Sequence, residues 1–341
     1  MKNTTFVIIL MFSLFSCNDD IVIKDTPINV FNTFWKTLNE RYVYFDEKNI
    51  DWDSVYNVYS PRVKSMKNDE ELSIVLQEIF NLFKDRHLGI VQNSTEYIGY
   101  YPLDTIGYFY LPFSKNGFEL FPRFSGENDL STIYQHKTKK YIYIQYDAFR
   151  KETDVQLFQS NLKNLNYTDG IIIDIRNNGG GFSNYALDLA SMFFSGERTA
   201  FYEIPKNNVG KDDFEKPIAV KYYGKNTIPS TTPIVILTSN NTYSAGNLFA
   251  YLMEDLPNCV TIGEKTGGGG SPIKSVYLPN GWILFYPNTK CKSAKGEDME
   301  YGLVPDFKIK YTSFKDTVQF VKAMEILDSI NGFPKENYCD K

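Results

Sequence analysis

The chain has 341 residues, of which 43% are hydrophobic and 23% charged, and its formal net charge is -5. This length and composition indicate a globular protein with one large domain or two modest ones. Because Lys and Arg form no basic cluster, we exclude DNA and RNA as partners. The aromatic share of 16% and the Tyr-rich stretch Tyr141–Tyr146 predict a large content of β-sheet.

The N-terminus has the pattern of a targeting segment. Lys2 precedes a mostly apolar run from Phe6 to Phe15, which is too short to span a bilayer. The run ends at Leu14-Phe15-Ser16-Cys17, which resembles a bacterial lipobox. We therefore predict a lipoprotein signal over residues 1–17, lipidation of Cys17, and a tether over residues 18–27. This arrangement would hold a soluble domain on a membrane of the cell envelope; a simple secretory signal is the alternative.

The other three cysteines, Cys259, Cys291 and Cys339, match no zinc-binding spacing. Cys259 falls in an apolar run and is interpreted as a small hydrophobic residue of a buried strand. An odd number of cysteines also disfavours a disulfide framework. No metal or organic cofactor is implied by the sequence.

The first part of the chain is predicted to be helical. Val30, Phe31, Phe34 and Leu38 form one apolar helix face, and a second helix follows Asn68, with a capping box completed by Glu71. We predict a helical subdomain over residues 28–89. Residues 90–138 are predicted to form a short β-rich connection, with strand-like segments at 97–111 and 118–121.

From Lys140 onward, strands and helices alternate. Strands are predicted at 141–147, 170–175, 233–238 and 260–262, and helices at 153–165, at 184–194 and after Ser244. This alternation predicts βαβ units and a largely parallel sheet in a core over residues 139–341. A hairpin is expected at Pro279-Asn280-Gly281 and a last helix at 314–330. Residues 205–230 are interpreted as a polar excursion.

Ser244 lies between a predicted buried strand and a predicted helix. The start of a helix offers free backbone N–H groups and the positive end of the helix dipole, which stabilise a developing oxyanion. Ser244 is therefore a candidate nucleophile, in half of a nucleophile-elbow pattern. Serine is also a common helix N-cap, so a purely structural role is the alternative.

Only two histidines, His87 and His136, are available as a general base. His136 lies in a polar loop, whereas His87 follows an amphipathic helix. Because both precede Ser244, the Ser-acid-His order of the α/β-hydrolases is excluded. The His-first order of chymotrypsin is allowed, but the βαβ pattern does not fit its β-barrels.

Two glycine-rich segments flank the predicted strands. Gly179-Gly180-Gly181 follows the strand that ends at Asp174, and such a loop can direct an N–H at an oxyanion. It matches no phosphate-binding motif. Asp174 and Arg176 are interpreted as a structural ion pair. A second glycine run, 267–270, is interpreted as a loop around a site, and the acidic segment 297–306 can supply a carboxylate that orients a histidine.

In this order, the motifs resemble those of the S41 peptidase family, the C-terminal-processing and tricorn-core proteases. The resemblance covers most of the chain and implies a crotonase-like or ClpP-like α/β core with a small N-terminal helical subdomain. Residues 90–138 are too few for the complete PDZ domain common in that family, so Phe182 and the aromatic region 97–121 are expected to line the cleft. The residues that carry the resemblance are Asp85-x-His87, Asp174-Ile175-Arg176-Asn177-Asn178-Gly179-Gly180-Gly181, Tyr243-Ser244-Ala245-Gly246, Gly263-x-Lys265-Thr266 and Gly302-x-x-Pro305-Asp306.

The resemblance also distinguishes two chemistries. The processing proteases use a Ser-Lys dyad, but the position that matches their lysine is Gly269, and Lys265 matches an earlier, noncatalytic position. The tricorn-like branch uses a histidine from the segment that contains His87. The roles implied are Ser244 as nucleophile, His87 as general base, the N–H groups of Gly180 and Ala245 as oxyanion hole, and Glu300, or secondarily Asp298, as the supporting acid.

One departure from the tricorn-like pattern concerns the residue before the histidine, which is Arg86 instead of serine. A cation there is expected to lower the pKa of His87. The resulting prediction is a serine peptidase that cleaves peptides or unfolded proteins through an acyl-enzyme. Two alternatives stay open: an ester hydrolase, and a non-catalytic binder of hydrophobic ligands or peptides on the same fold, as in the interphotoreceptor retinoid-binding modules.

Overall fold

A computed structural model describes residues 25–92, 96–100, 118–120, 131–150, 168–207, 213–311 and 317–329. The predicted signal with Cys17, the predicted helix at 153–165, Cys339 and most of the aromatic region 97–121 lie outside the described residues. Within the described ranges, no helix combines the length and the hydrophobicity needed to span a membrane.

Three helices form the N-terminal unit: α1 (Pro27–Arg41), α2 (Trp52–Lys64) and α3 (Asp69–Phe83). The side chain of Asn68 accepts from the Glu71 N–H at 3.0 Å, as the capping box requires. The Glu71 carboxylate, however, accepts from the N–H of Lys67 instead of Asn68. Helix α2, which the sequence analysis does not predict, is capped by Asp51 and contains Pro61.

The helical unit packs on an antiparallel sheet of four strands. The strands are β1 (Gly89–Gln92), β2 (Glu96–Gly99), β11 (Ile273–Tyr277) and β12 (Ile283–Pro287), in the order β11-β12-β1-β2. Strands β11 and β12 form the predicted hairpin. Trp282, Leu284 and Tyr286 share one buried cluster with the helices. Chain segments almost 200 residues apart therefore build a common core.

A mixed sheet of seven strands forms the centre of the molecule. Its order is β14-β10-β9-β6-β5-β4-β3, and the five strands from β14 to β5 are parallel. This result confirms the predicted largely parallel sheet. The strands are β3 (Phe118–Leu120), β4 (Ser131–His136), β5 (Tyr141–Tyr146), β6 (Gly170–Asp174), β9 (Ile234–Thr238), β10 (Cys259–Gly263) and β14 (Phe307–Lys308).

Helices cover both faces of this sheet, as a parallel sheet requires. Helices α4 (Ser183–Ala190) and α5 (Ala245–Glu254) pack on the face that contains Ile171 and Ile236. Helix α6 (Val318–Asp328) packs on the opposite face. Cys259 is fully buried in the cluster on the face that contains Ile171 and Ile236, as predicted. No PDZ-like domain is evident in the described ranges.

The interpretation of residues 205–230 as a polar excursion is wrong in part. Strands β7 (Ser195–Pro205), β8 (Ile218–Lys225) and β13 (Thr289–Ser293) form a third, antiparallel sheet in the order β13-β7-β8. Most residues of β8 are exposed or half-buried. Such a strand lacks the continuous apolar run that identifies the buried strands of the central sheet.

Asp174, at the end of β6, forms a buried ion pair with Arg176. The guanidinium Nη2 donates to Asp174 Oδ2 at 2.6 Å, and Nε donates to both carboxylate oxygens. The Tyr143 hydroxyl donates to the same carboxylate. Arg176 is 1% exposed, so its charge depends on Asp174 for compensation. This geometry confirms the predicted structural pair.

We expect Asp174→Ala to lower the free energy of unfolding by about 3–5 kcal/mol, because it leaves a buried guanidinium without its counter-ion. Urea unfolding followed by circular dichroism would measure the change. Glu78→Ala, which breaks the exposed pair between Arg62 and Glu78, is the control and should change the midpoint little. Equal losses in the two variants would contradict a structural role for the buried pair.

Candidate active site

Two loops meet at the carboxyl edge of the central sheet. Strands β6 and β9 are parallel neighbours, so the segments that follow them, 175–182 and 239–244, leave the sheet at the same edge. This edge is where parallel α/β sheets commonly bind ligands. The glycine loop and Ser244 are thereby brought together from segments more than 60 residues apart.

Hydrogen bonds fix the two loops to each other. The Thr242 hydroxyl donates to the Ile175 carbonyl at 2.8 Å, and the Ser239 hydroxyl donates to the Arg176 carbonyl at 2.6 Å. The Tyr243 N–H donates to the Asn178 carbonyl at 2.9 Å. These hydrogen bonds therefore fix the two loops relative to each other in the absence of a ligand.

Ser244 has an unusual backbone conformation, with φ 55° and ψ −122°. Such conformations cost about 1–3 kcal/mol and persist where the surroundings enforce them. Here the Ser244 N–H donates to the Gly268 carbonyl at 2.8 Å. The side chain makes no capping bond to α5, so Ser244 lies at the N-cap position without acting as a cap. Its hydroxyl is left available for other chemistry.

Gly180 lies directly against the candidate nucleophile. Its φ is +107°, and a Cβ built there would lie 2.7 Å from the Ser244 Cβ and 3.1 Å from the Ala245 N. The Ala245 N–H belongs to the first residue of α5, where the helix offers unpaired donors. The Gly180 N–H, by contrast, donates to Asn178 Oδ1 at 2.9 Å in this structure.

His87 is buried behind the Ser244 loop. It is 6% exposed, and its ring packs edge-on against Tyr243 with 4.8 Å between centroids. The Asp85 carboxylate accepts from the His87 N–H and from the Tyr42 hydroxyl, both at 2.8 Å. Nδ1 of His87 is buried without a hydrogen-bond partner among the described residues. Tyr243 thus connects His87 to the nucleophile loop through packing, without a hydrogen bond from His87 to Ser244 within those residues.

The pKa of His87 is lowered to about 4. Burial is the largest cause; Asp85 raises the value, and the cations of Arg86 and Lys48 lower it further. The expected effect of Arg86 is therefore present, although burial exceeds it. The Arg86 guanidinium lies over the Tyr243 ring at 4.0 Å from its centroid. His87 is consequently neutral at pH 7, which is the form that can accept a proton.

Glu300 lies in a short 3-10 helix, Met299–Tyr301, and is buried. Lys48 donates to its Oε1 at 3.3 Å, while Oε2 is buried without a partner in the described part of the chain. Burial, followed by the charge of Asp85, raises the pKa of Glu300 well above its usual range. The side chain of Asp298 accepts from the Glu300 N–H at 3.0 Å, so it stabilises the turn.

Asn247 and Thr266 hold the Glu300 segment in place. The Asn247 side chain donates to the Met299 carbonyl at 2.9 Å and accepts from the Thr266 hydroxyl at 2.6 Å. The Leu303 N–H in turn donates to the Thr266 hydroxyl oxygen at 2.6 Å. Asn247 on α5 and Thr266 of the Gly263-x-Lys265-Thr266 motif therefore have a positioning role.

Gly269 has no room for the lysine of a Ser-Lys dyad. Its φ is +75°, and a Cβ there would lie 2.3 Å from the Tyr243 ring. Lys265 is exposed and lines a different depression from the one beside Ser244. The other histidine, His136, accepts at Nδ1 from the N–H groups of Thr138 and Lys139 in a turn, far along the sheet from this edge.

A cleft of about 360 Å³ opens beside Ser244. Its walls include Phe201, Leu248 and Met299, together with Phe182, which is 60% exposed and lines the cleft as predicted. The charged residue in its lining is Glu203, on β7. The cleft is therefore a mainly apolar groove with a carboxylate in one wall.

The sequence analysis does not identify three residues of this region: Tyr42, Lys48 and Glu203. Tyr42 and Lys48 belong to the N-terminal unit and reach Asp85 and Glu300 only in the folded chain. Glu203 lies in strand β7, which the sequence analysis does not predict. A period-two pattern of Phe201, Glu203 and Pro205 is the signal that could have placed it on a sheet face.

Two family models match parts of the chain. The model of peptidase family S41 matches residues 140–309, and that of the tricorn protease C1 domain matches residues 26–81. A solved structure of a candidate peptidase from Parabacteroides merdae has a TM-score of 0.76 at 24% identity. That match covers 89% of this chain and 97% of the other, and it shows a shared fold.

Two curated relatives match shorter segments. The nisin-resistance protein of Lactococcus lactis subsp. lactis is 31% identical over 138 residues, which are 37% of this chain and 41% of that protein. The carboxyl-terminal-processing protease of Synechocystis sp. is 27% identical over 168 residues, which are 47% and 37% of the two chains. The chain thus spans about two fifths of the length of these relatives.

The mixed, largely parallel sheet with helices on both faces defines an α/β fold, and the family models match both its core and its N-terminal helices. The chain belongs to peptidase family S41.

We expect Gly180→Ala to abolish turnover, because the new Cβ would meet the Ser244 Cβ at 2.7 Å and the Tyr243 carbonyl at 2.9 Å. Cleavage of a fluorogenic peptide would measure the loss, which should reach 100-fold or more if the oxyanion site is displaced. Gly179→Ala is the matched control, since no atom lies within 4 Å of its Cβ position. Similar activity in both variants would exclude a role for Gly180 in the oxyanion hole.

Proposed function

We propose that the protein is a serine peptidase that cleaves peptides or unfolded proteins through an acyl-enzyme on Ser244. The observation that carries this proposal is the strained Ser244 turn at the start of α5, with an uncapped hydroxyl beside an apolar cleft. A purely structural serine at this position would be expected to cap the helix. Backbone strain at a nucleophile beside a cleft is instead typical of a preorganised active site.

In the proposed reaction, the Ser244 hydroxyl attacks the carbonyl carbon of the substrate while His87 accepts its proton. The tetrahedral oxyanion is stabilised by the N–H groups of Ala245 and Gly180, the second of which must leave Asn178 Oδ1 when substrate binds. The C–N bond then breaks as His87 returns the proton to the leaving amine. Water then attacks the acyl-enzyme carbonyl while His87 accepts its proton. The bond to the Ser244 oxygen breaks as His87 returns that proton to Ser244.

The tertiary structure supports His87 as the base. Its ring contacts Tyr243, the residue before the nucleophile, and its backbone is fixed by Asp85. A hydrogen bond between Ser244 and His87 requires a movement of the His87 ring or of the Ser244 side chain. Catalytic hydrogen bonds often tighten in this way only in the substrate complex. Glu300, which accepts from Lys48 in the same region, is proposed as the acid that supports the network of His87 and Ser244.

We also propose that the protein is a lipoprotein of the cell envelope, anchored through Cys17, with a periplasmic or surface-facing catalytic core. The support is the lipobox-like sequence at residues 14–17. A nisin-resistance protein among the relatives is compatible with an envelope location. Metabolic labelling with a palmitate analogue in a bacterial host would test the anchor, and Cys17→Ala should abolish the label.

The first functional test is labelling with a fluorophosphonate probe, which reacts with activated serines. We expect the chain from residue 18 onward to label, and Ser244→Ala and His87→Ala to lose labelling, because attack requires both the hydroxyl and its base. His136→Ala is the matched control and should label like the unmodified chain. Peptide cleavage should follow the same pattern across these variants.

The outcomes of this test separate the competing functions. Labelling that persists in His87→Ala would contradict the proposed base. A folded chain that does not label, but retains an apolar ligand through purification, would favour a non-catalytic binder. Labelling with ester turnover and no peptide cleavage would favour an ester hydrolase.

The pH dependence of kcat/KM tests the base separately. Since His87 must be neutral to accept a proton and its pKa is about 4, the acid limb should lie near pH 4 instead of near 6.5. Lys48→Met removes a cation that lowers this pKa, so it should move the acid limb to higher pH. Lys295→Met, on the distant pair with Glu254, is the control and should leave the limb unchanged. An acid limb that is the same in all three proteins would contradict His87 as the base.

A further inference from the structure

Glu203 is an unusual residue for the wall of the Ser244 cleft. It lies on β7 opposite Cys291 of β13, and it shares the cleft face with Phe201 two residues earlier. Among the described residues its carboxylate forms no hydrogen bond or ion pair. Other acids nearby are paired: Glu197 on the same strand pairs with Lys221, and Glu47 pairs with Lys290.

The lysines that flank the cross-strand partner of Glu203 cannot neutralise its carboxylate inside the cleft. Lys290 and Lys292 flank Cys291 on β13, so strand alternation places their side chains on the opposite face of the sheet. Lys290 contacts Glu47 there. Glu203 instead interacts with the Cys291 thiol. Burial is the largest cause of the raised pKa of that thiol, and the charge of Glu203 is the second. The carboxylate is therefore directed at the cleft without a counter-ion from the flanking strand.

The rest of the cleft is suited to an alkyl chain. Apolar walls of the cleft that also contains Ser244 and Glu203 are formed by Phe201, Leu248, Met299 and the buried Cys291. A ligand that satisfies both features has an apolar stem and a cationic end, as Lys and Arg side chains do. A purely aliphatic side chain would fill the walls and leave the carboxylate desolvated without a partner, which costs free energy.

The cleft also has a defined position relative to the reacting bond. Ser244, Ala245 and Gly181 line it, and the first two are the groups that surround the attacked carbonyl in the proposed mechanism. The substrate side chain nearest to that carbonyl belongs to the residue that carries it. The occupant of the cleft is therefore the side chain on the acyl side of the cut bond.

We propose that Glu203 is a specificity-determining residue that selects a lysine or arginine side chain on the acyl side of the cleaved bond. This inference rests on the proposed peptidase function and adds the substrate class. Glu203 acts on binding and orientation of the substrate and takes no part in proton transfer.

The test compares N-acetylated peptides that differ only in the residue before the cut bond: lysine, norleucine or acetyl-lysine. Acetylation of the N-terminus removes the other possible source of a cation. We expect kcat/KM for lysine to exceed that for norleucine by about 10–100-fold, the range of a hydrogen bond to a charged group. Glu203→Gln should bring the ratio close to one, and Glu203→Lys should favour glutamate at the same position.

Glu197→Gln is the matched control, because Glu197 lies on the same strand but outside the cleft lining. It should retain the lysine preference. An unmodified protein with equal kcat/KM for lysine and norleucine would overturn the inference, as would a preference that persists in Glu203→Gln.

A separate binding measurement distinguishes failure of the inference from failure of the proposed function. Fluorescence anisotropy with the Ser244→Ala variant should show tighter binding of the lysine peptide than of the norleucine peptide, whether or not the protein cleaves either one. Absent cleavage with a retained lysine preference would reject the peptidase and keep the cation site. Cleavage with equal binding of both peptides would reject the cation site alone.

Discussion

The parallel pairing of β6 with β9 is the constraint on which the site depends. It aligns Ile171 with Ile234 and Asp174 with Leu237, so both strands end at one edge of the sheet. The loops that follow these strands therefore leave the sheet side by side. Hydrogen bonds from the Thr242 and Ser239 hydroxyls then fix the distance between the two loops. The buried pair of Asp174 and Arg176 anchors one loop at its base. The strain at Ser244 is sustained by this framework, because neighbouring contacts enforce the backbone conformation.

A second constraint is electrostatic and comes from the N-terminal helices. Asp85, His87 and Glu300 are buried close to the half-buried Lys48, so solvent screens their interactions less than at the surface. Burial favours the neutral forms of His87 and Glu300, and the Lys48 cation offsets part of the cost for the carboxylate. The helical unit is therefore a structural part of the candidate site. Asp85 and Lys48 are among the causes of the pKa shifts of both His87 and Glu300, so removing either charge should change both pKa values.

The sequence predicts the elements whose signal is local. Ile171–Ile173 and Ile234–Leu237 are continuous apolar runs, and both form central strands of the parallel sheet. Helix α2 and strand β8 give weak signals, because one contains Pro61 and the other is mostly solvent-exposed. Ser244 and the glycine loop can be recognised as motifs. The contact of Lys48 with Glu300 spans 252 residues of sequence and follows from tertiary packing alone.

Tyr243 shows how packing relates to the choice between two chemistries. Its ring occupies the space that a side chain at position 269 would need, and the φ of +75° at Gly269 disfavours any such side chain. The same ring packs against His87 and lies beneath the Arg86 guanidinium. The Tyr243 ring therefore leaves no space for a lysine at position 269 beside Ser244. It also packs against His87, the only nearby imidazole among the described residues. On this basis, the absence of a Ser-Lys dyad and the proposed Ser-His pair are two consequences of a single packing arrangement.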